Sequence, residues 1–362
     1  MALKCGIIGL ANTGKTTLFN CVANTKIHSQ PGMQKSHMGQ INVPDSRLDE
    51  LDLLIHSQRV QQATVDLVDI PGLTKGSGQA ESTSSKFLAE IQQTDALIHV
   101  LRCFDSDTVP HIEGNVNPVR DREIVDLELC IRDLTMVERK IQRTEKLIKL
   151  GDKDAKKVME VLHIYKTHLE DFKPARTAPV TEEEHKHISD MYLITDKPVI
   201  YVCNVDDASA ATGNDYSKAL IESVKDENAE VLVIAAELEA EIAELESKED
   251  REIFLADAGL IEPGVNKVVQ SAYKLLNLMS FFTVGVKEVR AWTIHRGMTA
   301  PQAAGVIHSD LERGFIRAEV IKYNDFITFK TEQACKEHGK LAIEGKNYVV
   351  GDGDCLNIRF NV

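Results

Sequence analysis

The stretch Gly9-Leu10-Ala11-Asn12-Thr13-Gly14-Lys15-Thr16 fits the pattern G-x-x-x-x-G-K-[ST], and its reading decides the fold. The apolar run Lys4 to Gly9 before it predicts a short buried strand, and Lys15 to Asn24 after it predicts a helix. A strand, a glycine turn and a helix in that order aim backbone N–H groups and the helix dipole at phosphate oxygens. In that frame Lys15 faces the β- and γ-phosphates, and the Thr16 hydroxyl is a ligand for Mg²⁺. The backbone of Asn12, Thr13, Gly14 and Thr17 completes the cradle. From average composition, chance gives such a match in about 1% of chains this long, and the strand–loop–helix context leaves little room for a mere glycine turn capping a core helix.

Outward from this loop, Ala63–Asp69, Ala96–Phe104, Pro198–Asn204 and Glu230–Ala235 read as further strands with apolar interiors, separated by helical segments. The pattern predicts an α/β fold with a mostly parallel sheet covered by helices on both faces. Between the strands at 96 and 198 the period changes. Leu127, Ile131, Leu134, Val137, Ile141 and Ile148 recur at three- and four-residue steps, and after Gly151 the pattern resumes at Val158, Leu162, Tyr165 and Leu169. That is an antiparallel helical hairpin inserted into the sheet domain. The acidic segment Glu237–Asp250 favours helix. From Phe281 short strands return, at 281–284, 288–293, 316–321, 347–350 and 356–360, with a helix over Ala300–Ile307. The expected domains are 1–126 and 198–279 for the two parts of the nucleotide domain, 127–197 for the hairpin and 280–362 for a small α+β module.

The 362 residues carry a formal net charge of −14, which opposes nucleic-acid binding over the whole surface. From Glu138 to Lys157, however, eight Lys/Arg face four Asp/Glu. By charge alone a solvated helical face is the better account of that excess, with an anionic partner second. Seven cysteines without a C-x-x-C pair fit neither a disulfide framework nor a zinc site. No apolar run is long enough for a membrane span and no secretory leader is read, so a cytoplasmic protein without membrane contact is expected.

Two further motifs bear on chemistry. Asp69-Ile-Pro-Gly72 ends a strand about 55 residues after the phosphate loop. There a carboxylate reaches Mg²⁺ through water and the Gly72 N–H senses the γ-phosphate. Leu73 follows, where a Ras-like enzyme has a water-orienting glutamine. Asn204-Val-Asp-Asp207 ends another strand and has the spacing of a guanine-reading N-K-x-D, with Val205 in place of the lysine. Asn204 and Asp207 alone leave the choice of base open. His185 and His187 lack the i, i+4 spacing of a helical metal pair and read as surface residues.

In this order the motifs resemble the YchF family of Obg-like P-loop proteins, over nearly the whole chain. The segments that carry the resemblance are Ala96–Phe104 with His111 downstream, Pro198–Asp206, and Val284–Thr293 continuing to Gly314–Ile321. The resemblance implies a G-domain interrupted by the hairpin and followed by a β-grasp module of the TGS type. It also implies Mg²⁺-dependent hydrolysis of ATP in preference to GTP, and association with ribosomes, the large subunit included, through the basic hairpin and the TGS module. A monomer is expected. Asp207 stands where the family has glutamate, and Ala235 and Ala236 would lie beside the base. Leu73 agrees with the family's hydrophobic residue in place of glutamine, and His111 corresponds to its substitute on a flexible loop. The first switch, Ser29 to Gly39, departs from the family, leaving Ser36 or Met33 at the position of a Mg²⁺-binding threonine. The second, Gly76 to Leu88, has lost several glycines. A GTP-driven switch, and a nucleotide-regulated RNA-binding module with negligible turnover, are the alternative readings.

Overall fold

The computed structural model describes residues 3–27, 36–72, 87–227, 229–245 and 247–361. The chain divides into two compact units, residues 1–39 with 66–268, and residues 40–65 with 269–362.

The first unit is built on strands β1 (Lys4–Ile8), β2 (His37–Asn42), β4 (Thr64–Asp69), β5 (Ala96–Arg102), β6 (Val199–Asn204) and β7 (Glu230–Ile234); β3 (Val60–Gln61) belongs to the second unit. The sheet order is β2-β4-β1-β5-β6-β7, and β4, β1, β5, β6 and β7 run parallel. Every residue of β5 and β6 is buried, as expected of central strands covered on both faces. Around the sheet lie α1 (Lys15–Ala23), α3 (residues 87–92), α7 (Asp215–Val224), α8 (Ala236–Glu244) and α9 (Lys248–Asp257), and the chain then passes along α10 (Gly264–Leu275) into the second unit. One apolar core joins Ile8, Leu97, Leu101, Tyr201, Leu220 and Leu238. The acidic, helix-favouring stretch 237–250 falls in two helices, parted after Glu244. β2 occupies part of the segment expected as switch loop, and pairs at the sheet edge with only Ile41 fully buried.

The hairpin consists of α4 (Pro118–Lys149) and α5 (Asp154–Glu170). α4 starts nine residues before the expected limit of 127. The reason is local: the Asn117 side chain accepts the Arg120 N–H as an N-cap, and Pro118 fits the first helical turn. Val125 and Leu129 then pack in the sheet's core, whereas Val137, Ile141, Val161, Leu162, Tyr165 and Leu169 form a core of the hairpin's own. The short helix α6 (Glu182–His185) lies between the hairpin and β6.

The second unit has β8 (Leu278–Val284), β9 (Val289–His295), β10 (Phe315–Lys322), β11 (Leu341–Glu344) and β12 (Asp354–Phe360), in the order β11-β10-β12-β8-β9-β3. β8 and β9 are antiparallel, β12 runs parallel to β8, and α11 (Ala300–Ile307) covers one face, which is a β-grasp arrangement. The helices α12 (Ser309–Arg313), α13 (Tyr323–Phe329) and α14 (Glu332–Glu337) fill the connections. The strand expected at 347–350 is absent. Val349 makes only an isolated bridge to Thr299, and the edge strand is β11, seated on β10. Helix α2 (Ser46–Ile55), capped by Asp45, belongs here and not with the phosphate loop that it follows in sequence. Its Leu48 and Leu51 are fully buried, Arg47 donates to Asp352 and lies over the Phe282 ring, and Tyr323 donates to Glu50 at 2.7 Å.

Candidate nucleotide site

The loop from Gly9 to Gly14 turns at the carboxyl end of β1, where β4, β5 and β6 also end. Gly14 has φ +91°, and a Cβ there would meet Asn204 Nδ2 at 2.2 Å, so no side chain fits. Lys15 is buried, with Nζ donating to the Leu10 carbonyl at 2.5 Å. Burial lowers its pKa to about 8 despite the opposing charge of Asp69. Gly72 lies against the same atoms, since a Cβ on it would be 2.6 Å from Lys15 Nζ and 2.9 Å from the Ala11 nitrogen. The D-x-x-G segment therefore closes on the phosphate loop.

Thr16 Oγ1 donates to Asp69 Oδ2 at 2.8 Å. Asp69 Oδ1 is buried with no hydrogen-bond partner among the described residues. Burial raises the pKa of this carboxyl, and the Thr16 hydrogen bond, Lys15 and His37 oppose the rise. A buried carboxylate oxygen without a donor is costly, and a hard cation satisfies it. The hydroxyl and carboxylate present thus fit Mg²⁺. His37 is close enough to act on Asp69, and Ser36 precedes it, half-buried. Leu73, Met33 and the glycine-poor segment 76–86 lie outside the described residues.

Asn204 ties the site together. Its Nδ2 donates to the Thr13 carbonyl and its Oδ1 accepts from the Ala236 N–H, both at 3.0 Å. Ala235 is the N-cap of α8, and both alanines are buried. Thr13 is buried with its hydroxyl on the Leu10 carbonyl, whereas Asn12 and Thr17 are exposed. Asp207 opens an exposed 3₁₀ turn, which Asp206 caps by accepting from the Ser209 N–H.

His111 is tied down instead of free on a flexible loop. Its Nε2 lies 2.8 Å from Asp121 Oδ2, and its Nδ1 accepts the Glu113 N–H at 3.0 Å. The segment that carries it reaches the phosphate loop, as Asn12 Nδ2 donates to the Pro110 carbonyl at 3.3 Å.

Two features escaped the sequence reading. The buried Arg102 at the end of β5 donates to the carbonyls of Phe104 and Val109, pinning the His111 segment. A lone arginine ending an apolar strand was the available signal. The second is a half-buried charged cluster around the buried Asp126 and Tyr201. Arg176 donates to Tyr201 Oη and Glu227, and Arg122 donates to the other Glu227 oxygen and pairs with Asp126. Burial raises Asp126 to about 6 against the two guanidiniums, and lowers nearby His99 to about 3, helped by the charges of Arg122, Arg176 and Lys15. No group of three or more His, Cys, Asp or Glu suited to a metal occurs among the described residues. No helix there is long and apolar enough to cross a membrane.

A family model described as "50S ribosome-binding GTPase" matches residues 4–163. A model of the C-terminal domain of YchF GTPases, described as a protein of unknown function, matches residues 278–361. Fold and site together define a P-loop nucleoside triphosphatase of the GTPase architecture. The chain is 45% identical over 365 residues to the Ribosome-binding ATPase YchF of Shigella flexneri, covering all of both chains. It is 42% identical over 373 residues to the protein of that name in Bacillus subtilis, again over all of both. The solved structure of the Schizosaccharomyces pombe YchF GTPase is similar at 30% identity and a TM-score of 0.87, covering 99% of this chain and 97% of that one. This chain belongs to the YchF family.

Proposed function

We propose that the protein is a ribosome-associated, Mg²⁺-dependent ATPase that hydrolyses ATP to ADP and phosphate. The observation that carries this reading is the Thr16–Asp69 pair, whose buried Oδ1 has no hydrogen-bond partner among the described residues, set beside a buried lysine on a phosphate loop. The relatives named above as ribosome-binding ATPases supply the base and the partner.

In this reading Lys15 leaves the Leu10 carbonyl for the β- and γ-phosphates, and the N–H groups of Asn12 to Thr17 cradle the chain of phosphates. Thr16 and Asp69 would hold Mg²⁺, with Ser36 as a further ligand; the ion, when bound, neutralises charge developing on the phosphates. Gly72 offers its N–H to the γ-phosphate. Leu73 cannot orient water, so His111 does, once its present hydrogen bonds are exchanged. Asn204 holds the loop, and Ala235 and Ala236 line the base through their backbone. Asp207 borders the base position and, with adenine bound, points away from the ring, whose N1 is an acceptor that a carboxylate would repel.

The exposed Asp207 also supports a second reading, a GTP-binding switch in which this carboxylate accepts from guanine N1–H and the 2-amino group. Calorimetric titration with Mg²⁺ and non-hydrolysable ATP and GTP, side by side, separates the two. Tighter ATP binding, abolished in Lys15→Ala, is expected, and tighter GTP binding would overturn the assignment of base.

The ribosome contact is assigned to the hairpin tip, where Arg139, Arg143, Lys146, Lys149, Lys153, Lys156 and Lys157 are all exposed, together with the C-terminal β-grasp module. Reversing charge at Lys146, Lys149 and Lys153 is expected to reduce co-sedimentation with ribosomes, most at low salt. No effect at any salt would remove the tip from the contact. A cytoplasmic monomer is the form proposed.

A further inference from the structure

His111 is held in a position from which it cannot act. Its side chain is only 4% exposed. The Glu113 N–H needs an unprotonated acceptor, which assigns Nδ1 as the bare nitrogen and Nε2 as the one that carries the proton. That Nε2–H is given to Asp121 Oδ2 at 2.8 Å. Both ring nitrogens are committed, so none is left for a water or a phosphate oxygen.

The acceptor is firmly built. The Asp121 side chain is wholly buried in the first turn of α4. Its other oxygen takes two hydrogen bonds from Arg120, Nε at 3.1 Å and a terminal nitrogen at 2.7 Å. Arg120 is itself fixed on the Asn115 side chain and carbonyl, at 2.6 and 2.7 Å. Yet the backbone just before His111 already touches the phosphate loop through Asn12 and Pro110, and is pinned one residue earlier by Arg102 through Val109. The backbone that carries the ring is thus held beside the phosphate loop.

We propose that Asp121 is the residue that withholds His111 from the nucleotide, and that hydrolysis is gated by exchange of the His111–Asp121 bond for a contact at the γ-phosphate. Asp121 stands at the root of the helix whose far end carries the basic tip. A shift of α4 alters the Asp121–His111 distance directly, so an anionic partner at the tip and a triphosphate in the loop act on the same bond. This inference rests on the assignment of His111 to the reaction made above. Asp121 acts through His111 and is a positioning residue.

The test uses the full chain and ATP turnover in four proteins: the parent, His111→Ala, Asp121→Ala and the double variant. Asp121→Ala is expected to raise kcat at least threefold with KM changed less than twofold. The same change made in His111→Ala is expected to move kcat less than twofold. A fall in kcat in a folded Asp121→Ala protein would make Asp121 an aid to catalysis and overturn the gate. So would an equal change in both backgrounds. Unchanged turnover in His111→Ala alone would remove His111 from the reaction, a separate failure from that of the latch. The latch is read without any variant by ¹⁵N NMR of the His111 ring. The nucleotide-free protein should show the Nε2-protonated tautomer, and adding Mg²⁺ with a non-hydrolysable ATP analogue should change its nitrogen shifts. Another tautomer at the start, or shifts that the analogue leaves unmoved, would refute it.

Discussion

Replacing Asn204 with alanine removes both hydrogen bonds that tie the phosphate loop to the start of α8, one to the Thr13 carbonyl and one from the Ala236 N–H. Each is made at 3.0 Å by a buried side chain, and the amide also packs against Gly14. A stranded interior donor or acceptor costs about 1–3 kcal/mol, so folding of the first unit should lose about 2–6 kcal/mol. The Thr13 half bears on binding, because it orients the loop whose N–H groups meet the phosphates. At 1.4 kcal/mol per tenfold, that half weakens nucleotide affinity by roughly 5- to 140-fold. Asn204→Asp keeps an acceptor for Ala236 but cannot donate to Thr13, and sets an interior carboxylate against its carbonyl. It should therefore cost at least as much stability as alanine, because the charge is buried without a partner, and weaken affinity at least as much. Urea unfolding gives the first quantity and calorimetric titration with Mg²⁺ and a non-hydrolysable ATP analogue gives the second. Affinity within twofold of the parent, beside the expected loss of stability, would show that Asn204 serves only the α8 junction.

Lys15 titrates near 8 in the free protein against an ordinary 10.5, so between those values the unfolded chain holds a proton that the folded one lacks, and stability rises with pH across that window. Phosphate charge restores the ammonium, so nucleotide binding at pH 9 should take up close to one proton, and affinity should fall as pH rises above about 8. Calorimetry in buffers of different ionisation enthalpy reads this, and zero uptake would contradict it. Asp69→Asn keeps an acceptor for Thr16 but loses the charge facing the metal position. Its nucleotide binding should need about 10- to 100-fold more Mg²⁺, while the metal-free fold is as stable as the parent's or more so. A magnesium titration that overlays the parent's would displace Asp69 from the metal. Arg176→Ala strips the buried Tyr201 and the half-buried Glu227 of their guanidinium and leaves Asp126 and Glu227 with Arg122 alone. Unfolding in urea should show a loss of about 3–5 kcal/mol, and a loss under 1 kcal/mol would mean that the cluster is solvated in solution.

The sheet was legible because β1, β5 and β6 are continuous apolar runs that need cover on both faces, and the phosphate loop because its chemistry is packed into eight consecutive residues. What failed to show was written across long separations. β2 alternates weakly, with a single buried residue, so its sequence reads as loop. α2 has a clear aspartate cap and two buried leucines, but the surfaces it needs come from Phe282, Tyr323 and Asp352. Nothing in residues 40–65 names those partners. The Asp126, Arg176 and Glu227 cluster is scattered in the same way. At the site, Lys15, Thr16, Asp69 and Asn204 were readable from motif spacing. The grip of Asp121 on His111 was not, since a histidine ten residues before an aspartate carries no pattern of its own.

The second unit is completed by two pieces of chain with about 200 residues between them. A ribosome adding roughly 5–20 residues per second takes on the order of 10–40 s to cross that gap. For that time α2 has emerged with Leu48 and Leu51 lacking the strands that bury them. The first unit can close earlier, so each new molecule passes through a stage with one half folded and an apolar helix waiting. Shortened chains that end before β8 should carry this helix as a persistent chaperone target, and a circular permutant that begins at residue 269, with 362 linked to 1, would put the strands ahead of α2 and remove the wait.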